Sequence, residues 1–280
     1  MEANKIASAI RSFPGMPGTA VKLLGLIDDP AMRVSQIEEI LRHDAGLTAN
    51  VLRLANSAYF GIPSKVGSIR QAVILLGLKR LIQMVIAACV SAIMDKSVPG
   101  YDLPPGELWR HSIAASVAAE GLVKVLRVEA AEEIFTAALL HDVGKLVLGD
   151  FVKDEFKQID TAVSQGISFE MAEKIVLGTT HADVGARILT KWLLPPEIVN
   201  AVQFHHAPEA SEQLSNMLDI VHVANFISMM IGIGIGRDGL QHEPSVEVTE
   251  RLGVEPEHLE KVASQTMQWV KEFSEVLNPG

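Results

Sequence analysis

The chain has one cysteine in 280 residues. That excludes an internal disulfide. Cys89 sits in the apolar run Ile86-Ala87-Ala88-Cys89-Val90, where it reads as a small buried hydrophobe, and its isolation fits a reducing, cytoplasmic setting. Basic charge is also short: 24 Lys and Arg stand against 34 Asp and Glu, for a formal net charge of -10. Broad nucleic-acid binding needs clustered cations on phosphate, so no nucleic-acid partner is expected. Long uninterrupted apolar runs are missing too. Leu81 to Met94 is too short to span a bilayer, and Met217 to Gly236 carries Asp219, His222 and Asn225. Both read as core helices, and no membrane partner is expected. Met1-Glu2-Ala3-Asn4-Lys5 does not open a secretory signal. Strand-like alternation and tandem repeats are absent as well.

Helical periodicity is present almost everywhere. Hydrophobic residues make up 48% and charged residues 21%, enough for a sizeable core. Ile6, Ala9, Ile10 and Phe13 mark a first short helix, and Ser35-Gln36-Ile37-Glu38 reads as a capping box. Ser68 to Met94 reads as two helices split near Gly77. Residues 96–106 are polar and rich in Pro and Gly, so they read as a linker. Helices are expected over 107–127, 130–148 and 151–164. A capping pair Thr180/Asp183 opens a later helix, and Pro195-Pro196 opens the one that ends at His205-His206. Met217 to Met230 reads as another buried helix, and 256–276 is amphipathic. The expected fold is all-α in two helical lobes: residues 1–95, a linker at 96–106, and a lobe over 107–280.

Histidines recur in this apolar frame. His111, His141, His181 and the pair His205-His206 lie at the ends or middles of hydrophobic helical segments. An unpartnered polar ring is costly there. Any one buried histidine is commonly satisfied by a backbone carbonyl; a shared metal explains the whole set. His141 and Asp142 are neighbours about 100° apart on one helical turn, which suits one ion held by both or a carboxylate bridging two. Lys145, four residues after His141, falls on the same face. Its ammonium can offset the charge of a bound phosphate or order Asp142. Imidazole with carboxylate suits iron, manganese, zinc or nickel. His43, His242 and His258 sit in polar stretches and read as solvent-facing.

The pattern His111, His141-Asp142, Lys145 resembles the HD superfamily of metal-dependent phosphohydrolases. The whole chain, over about Ile6 to Met230, more closely resembles the HDOD domain, the HD-related output domain of bacterial signalling proteins. Leu41-Arg42-His43-Asp44-Ala45-Gly46-Leu47-Thr48, Leu52-Arg53-Leu54-Ala55-Asn56-Ser57-Ala58-Tyr59-Phe60-Gly61 and Ser68-Ile69-Arg70-Gln71-Ala72-Val73-Ile74-Leu75-Leu76-Gly77 carry that likeness in the N-terminal lobe. The resemblance implies a metal set of His111, His141, Asp142, His181, His205 and His206, holding one or two divalent ions. Asn225 stands where the last family aspartate belongs, so one metal position is expected to be weakened. Ala207-Pro208-Glu209-Ala210 replaces the Gly-Tyr-Pro signature of the cyclic-di-GMP phosphodiesterase branch, so that substrate does not transfer. Two readings follow. One is a non-catalytic regulatory module that binds signalling proteins or a nucleotide or phosphate ligand and keeps part of the metal site. The alternative is a metal-dependent phosphohydrolase acting on a nucleotide or other phosphate ester, with Asp142 and Lys145 in the catalytic roles.

Overall fold

The computed structural model describes residues 2–24, 33–42, 44–57, 62, 64–129, 131, 133–241 and 244–277. Sixteen α-helices run through them, and the single β pairing among the described residues is an isolated antiparallel bridge between Val98 and Leu103. No described helix is long and apolar enough to cross a membrane.

The residues cluster into two compact units. The smaller, Gly15–Ile93 with Gln268–Gly280, contains α2 (Gly18–Leu24), α3 (Val34–Arg42), α4 (Ala45–Ala55), α5 (Ile69–Leu76) and nearly all of α6 (Leu78–Met94). Helix α3 packs on α2, α4 and α5. The apolar positions Ile37, Leu41, Val51 and Leu54 are fully buried, as helical spacing requires. Gly77 splits α5 from α6 with φ 82°, a left-handed turn that costs glycine little. The capping box read at Ser35 is displaced. Helix α3 starts at Val34, so Ser35 lies inside it, and the Gln36 side chain reaches back to the Arg33 N–H.

The larger unit, Met1–Pro14 with Met94–Met267, holds α1 (Glu2–Ser12) and α7 (Glu107–Leu126) through α15 (Val246–Leu252), with most of α16 (Pro256–Leu277). Between them come α8 (Ile134–Leu140), α9 (Lys145–Asp154), α10 (Phe156–Ser164), α11 (Phe169–Leu177), α12 (His181–Lys191), α13 (Pro196–Phe204) and α14 (Asn216–Met230). Helices α7 and α14 pack along each other, α8 lies against both, and α13 joins α8, α12 and α14.

Four expectations differ from the observed fold. Residues 1–14 belong to the larger unit, because α1 packs on α9 and α12 and Lys191 Nζ donates to the carbonyls of Ile10, Arg11 and Phe13. Residues 96–106 are not a free linker: Val98, Tyr101 and Leu103 are buried, and a Cβ on Gly100 would stand 2.1 Å from the Gly149 carbonyl oxygen. The 130–148 helix is broken. Helix α8 ends at Leu140, residues 141–144 form a turn, and α9 begins at Lys145. At the break the Gly144 backbone lies so close to α12 that a Cβ would meet the His181 carbonyl oxygen at 1.9 Å. The 151–164 helix is likewise two, α9 and α10, meeting at Glu155.

Candidate metal centre

Five segments of the larger unit converge on the turn at 141–144. Helix α7 supplies His111, the turn supplies His141 and Asp142, and α12 supplies His181 as its first residue. His205 caps the C-terminus of α13, His206 follows it, and α14 supplies Asn225. The expected box at Thr180 and Asp183 is present and fixes the start of α12, which aims His181 inward. Every residue expected in the site is in this cluster. His111, His141, Asp142, His181, His205 and Asn225 are buried, and His206 is half-buried.

The ring tautomers follow from the partners. His111 Nδ1 lies 3.0 Å from the Ile233 carbonyl oxygen, His141 Nδ1 2.7 Å from that of Ala138, and His205 Nδ1 2.7 Å from that of Val202. His181 Nδ1 lies 3.0 Å from both Glu173 oxygens. Carbonyls and carboxylates only accept, so all four Nδ1 atoms donate. Burial drives the His111 pKa down to about 4 and holds that of His205 well below the usual histidine range, despite the opposing pull of Asp142. These two rings are therefore neutral at pH 7, with lone pairs on Nε2 facing inward. A metal-ligating histidine is normally oriented in this way, by the hydrogen bond of its other nitrogen.

Asp142 divides the cluster in two. Its Oδ2 lies 3.5 Å from His111 Nε2 and 3.4 Å from His141 Nε2, while its Oδ1 lies 3.5 Å from His181 Nε2 and 3.8 Å from His205 Nε2. On the Oδ2 side, His111 Nε2 is 3.3 Å from His141 Nε2 and 2.9 Å from Asn225 Oδ1. An amide turned end for end presents its NH2 to His111, so this side can be relieved without an ion. On the Oδ1 side, Asp142 Oδ1 and His205 Nε2 accept no hydrogen bond although both are fully buried. Two orphaned acceptors side by side form a place that a cation fits. Asp142, His181, His205 and His206 offer donor atoms within 4.8 Å of one another, as do His111, His141 and Asp142.

The charge balance points the same way. Three carboxylates lie in this region. Burial alone would raise the Asp142 pKa, but His141 and Lys145 hold it well below the usual carboxylate range. Glu173 accepts from Tyr101 Oη at 2.6 Å and from the His181 backbone N–H at 2.8 Å. Asp238 accepts from Lys145 Nζ at 2.5 Å. Lys145 also donates to Asp142 Oδ2 at 2.6 Å. Burial disfavours its ammonium, but Asp142 and Asp238 outweigh that and raise its pKa. With the rings neutral, as metal ligands must be, three carboxylates against one ammonium leave two negative charges, which one divalent cation would neutralise. The donor set and the charge both fit such an ion.

Residues 13–208 match the sequence model of the HDOD domain. The chain belongs to the HDOD family. Its fold is that of an HDOD domain protein of unknown function from Geobacter sulfurreducens, with TM-score 0.76, 24% identity and coverage of 98% of this chain and 99% of that one. A Shewanella amazonensis protein provisionally named a phosphohydrolase is 26% identical, with TM-score 0.74 and 98% coverage of both chains. A Marinobacter aquaeolei protein provisionally named a signal transduction protein is 18% identical, with TM-score 0.71, over 99% of this chain and 65% of that one. An uncharacterized Treponema pallidum protein is 26% identical over 226 residues, and the match spans 80% of this chain but 43% of that relative's length.

Within this HDOD chain, other candidates fall away from the centre. Asp219 pairs with Arg251 through two hydrogen bonds of 2.6 and 2.7 Å. His222 props the centre from outside: its Nδ1 donates to the His205 carbonyl at 2.7 Å, and its Nε2 accepts from the Ser245 N–H. His258 is half-exposed. His43 and His242 lie outside the described residues. Lys145 Nζ donates to Asp142 Oδ2, the same oxygen that His141 Nε2 faces at 3.4 Å, so it orders Asp142. Tyr101, Glu173 and Asp238 were not foreseen. Glu173 carried a readable signal, because Phe169, Glu173 and Leu177 recur four apart and put a carboxylate in a buried apolar stripe. Asp238 carried none, lying in a short 3-10 turn after a glycine-rich segment.

Proposed function

We propose that this protein is a regulatory HDOD module of bacterial signal transduction whose buried centre holds a divalent transition metal without turning over a substrate. The ion sits on the Oδ1 side, held by Asp142, His181, His205 and His206. Three imidazoles and one carboxylate suit zinc, iron or manganese. The Oδ2 side, with Asn225 in place of a second anionic ligand and Lys145 on the shared carboxylate, is the weaker position.

One observation carries the non-catalytic reading. Lys145, the cation that would meet a substrate phosphate, is buried and committed on both sides, to Asp142 at 2.6 Å and to Asp238 at 2.5 Å. With both partners in place, the Lys145 ammonium is not free to orient a phosphate ester. When bound, the metal would supply positive charge and Lewis acidity. The chain's own residues orient its ligands (the Nδ1 acceptors), exclude water by burial, and fix the Asp142 carboxylate through Lys145. A signalling partner or a phosphate-bearing ligand is then sensed as a change in this centre.

A second reading, a metal-dependent phosphohydrolase, is favoured by the split of Asp142, whose two oxygens face two separate imidazole groups as a carboxylate bridging two ions would. The test is to load purified protein with Zn(II), Mn(II) or Fe(II), count metal per chain, and assay hydrolysis of nucleotides, cyclic dinucleotides and simple phosphate esters. The regulatory reading expects about one tightly held ion and no turnover. Turnover that Asp142→Ala abolishes would replace it with the hydrolase.

A further inference from the structure

The segment after α14 closes one wall of the centre. Its sequence is Gly232-Ile233-Gly234-Ile235-Gly236-Arg237-Asp238-Gly239. Gly232 and Gly234 take φ values of 79° and 58°. A Cβ on Gly234 would stand 2.5 Å from the Glu107 carbonyl oxygen and 2.6 Å from His111 Cβ, and one on Gly236 would stand 2.6 Å from the Tyr101 carbonyl oxygen. Only glycine lets the strand lie this close. The contact delivers two groups: the Ile233 carbonyl, which accepts from His111 Nδ1, and the Asp238 carboxylate, which ends on Lys145 Nζ. The Asp238 side chain is 8% exposed. Toward the surface, Ile235 is 40% exposed, and Arg237 lies over the Phe156 ring and 3.7 Å from the Asp102 carboxylate.

The chemistry of this arrangement is that of an anion place. An ammonium beside a set of metal ligands attracts an oxyanion, and Asp238 is the oxyanion that sits there. It comes from the short 3-10 turn Arg237–Gln241, and it carries one negative charge, as a phosphodiester or a singly protonated phosphate does.

We propose that Asp238 is a tethered competitor for a phosphate-bearing ligand: the ligand takes its place on Lys145, and the 232–239 strap lifts from His111 and Tyr101 to admit it. This rests on the metal reading for the charge that makes the place attractive to phosphate. Binding would then be transmitted outward by the strap, which gives the regulatory module a moving part. A strap closed most of the time lowers the apparent affinity by the open fraction, so opening it tightens binding in proportion.

The experiment uses full-length protein with inorganic phosphate as probe and elemental analysis of every sample. Calorimetric titration compares wild type, Asp238→Asn, Gly234→Ala and the double variant Asp238→Asn/Lys145→Gln. Asp238→Asn removes the competing charge and keeps the shape. Gly234→Ala pushes the strap away without altering Asp238 or Lys145. Each single variant is expected to tighten phosphate binding about tenfold or more, and the double variant to lose the gain. In wild type, phosphate should speed hydrogen exchange of the 232–239 amides. Metal-loaded single variants that bind phosphate no better than wild type, with unchanged strap exchange, would overturn the proposal and leave the metal reading standing. Metal-free samples that still show the tightening would sink the metal reading and keep the anion place. If Asp238→Asn does not fold, Gly234→Ala and the wild-type exchange decide alone.

Discussion

Replacing Glu173 by glutamine tests the centre from outside its ligand set. The Glu173 carboxylate accepts from Tyr101 Oη at 2.6 Å, from the His181 backbone N–H at 2.8 Å, and from His181 Nδ1–H at 3.0 Å to each oxygen. A glutamine keeps the shape and one acceptor oxygen, enough for the two His181 donors, while the rotatable Tyr101 hydroxyl turns to accept from its NH2. What vanishes is the charge. Charge-assisted bonds become neutral ones of about half the strength. The orienting partner no longer raises the basicity of His181, and the region drops from two uncompensated negative charges to one. Loss of such an outer partner weakens metal affinity by roughly 10- to 100-fold, or about 1.4–2.7 kcal/mol. Competition with a calibrated chelator for Zn(II) reads this directly. Tyr101→Phe is the control: it removes one donor, leaves the carboxylate charged, and should shift affinity less than about threefold. A Glu173→Gln protein that binds zinc within twofold of wild type would refute the reasoning, for then His181 is not a ligand tuned by its carboxylate.

Other outcomes follow from the same geometry. Gly144→Ala forces a Cβ to 1.9 Å from the His181 carbonyl oxygen and 2.6 Å from the Gly185 nitrogen; both are backbone atoms, so a loss of about 3 kcal/mol or more is expected in urea unfolding, and a loss under about 0.5 kcal/mol would contradict the helix crossing. Leu193→Gly should stabilise. Leu193 has φ 60° and is 84% exposed, so it carries about 1–2 kcal/mol of left-handed cost against a glycine entropy penalty of about 0.4–1 kcal/mol, a net gain of roughly 0.5–1 kcal/mol that thermal unfolding would reveal and a lowered Tm would deny. Acid should destabilise the metal-free protein. His111 and His205 have folded pKa values below the unfolded value, His111 at about 4. As pH falls below about 6.5 the unfolded chain takes up protons that the folded chain refuses, and each such group removes ~1.4 kcal/mol per pH unit. His181 works in the opposite sense: Glu173 raises its pKa against burial, so its contribution is full below the unfolded value and is lost as pH rises through the folded one. Two groups outweigh one, so denaturant midpoints measured from pH 7 to 5 should fall; a rising midpoint would contradict the neutral-ring assignment.

What was legible in the sequence is what local chemistry dictates. Helix α14 announces itself by its apolar run, and α12 by the Thr180 and Asp183 box. Pro196 marks α13, and the left-handed Gly77 marks the split of α5 from α6. The ligand residues were also legible, because histidines are rarely placed in apolar helices without a partner. The illegible parts are set by tertiary contact. Nothing local ends a helix at Leu140, and the close crossing of Gly144 on α12 is a contact no single stretch of sequence shows. A Pro- and Gly-rich stretch reads as a linker until Tyr101 is seen buried on Glu173. Met171 and Met230 sit in apolar helices, yet both are exposed, since helical periodicity does not say which faces find a neighbour.

The central claim is that Asp142 Oδ1 and His205 Nε2, buried and without a hydrogen bond, face each other across a bound divalent ion. The most direct measurement is the anomalous X-ray signal of metal-soaked crystals, paired with elemental analysis of wild type and His205→Ala. A peak within ligand distance of Asp142, His181, His205 and His206, with about one ion per chain that His205→Ala removes, is the predicted result. A folded wild-type protein that binds no ion under any divalent metal, its two acceptors bridged by water instead, would contradict it.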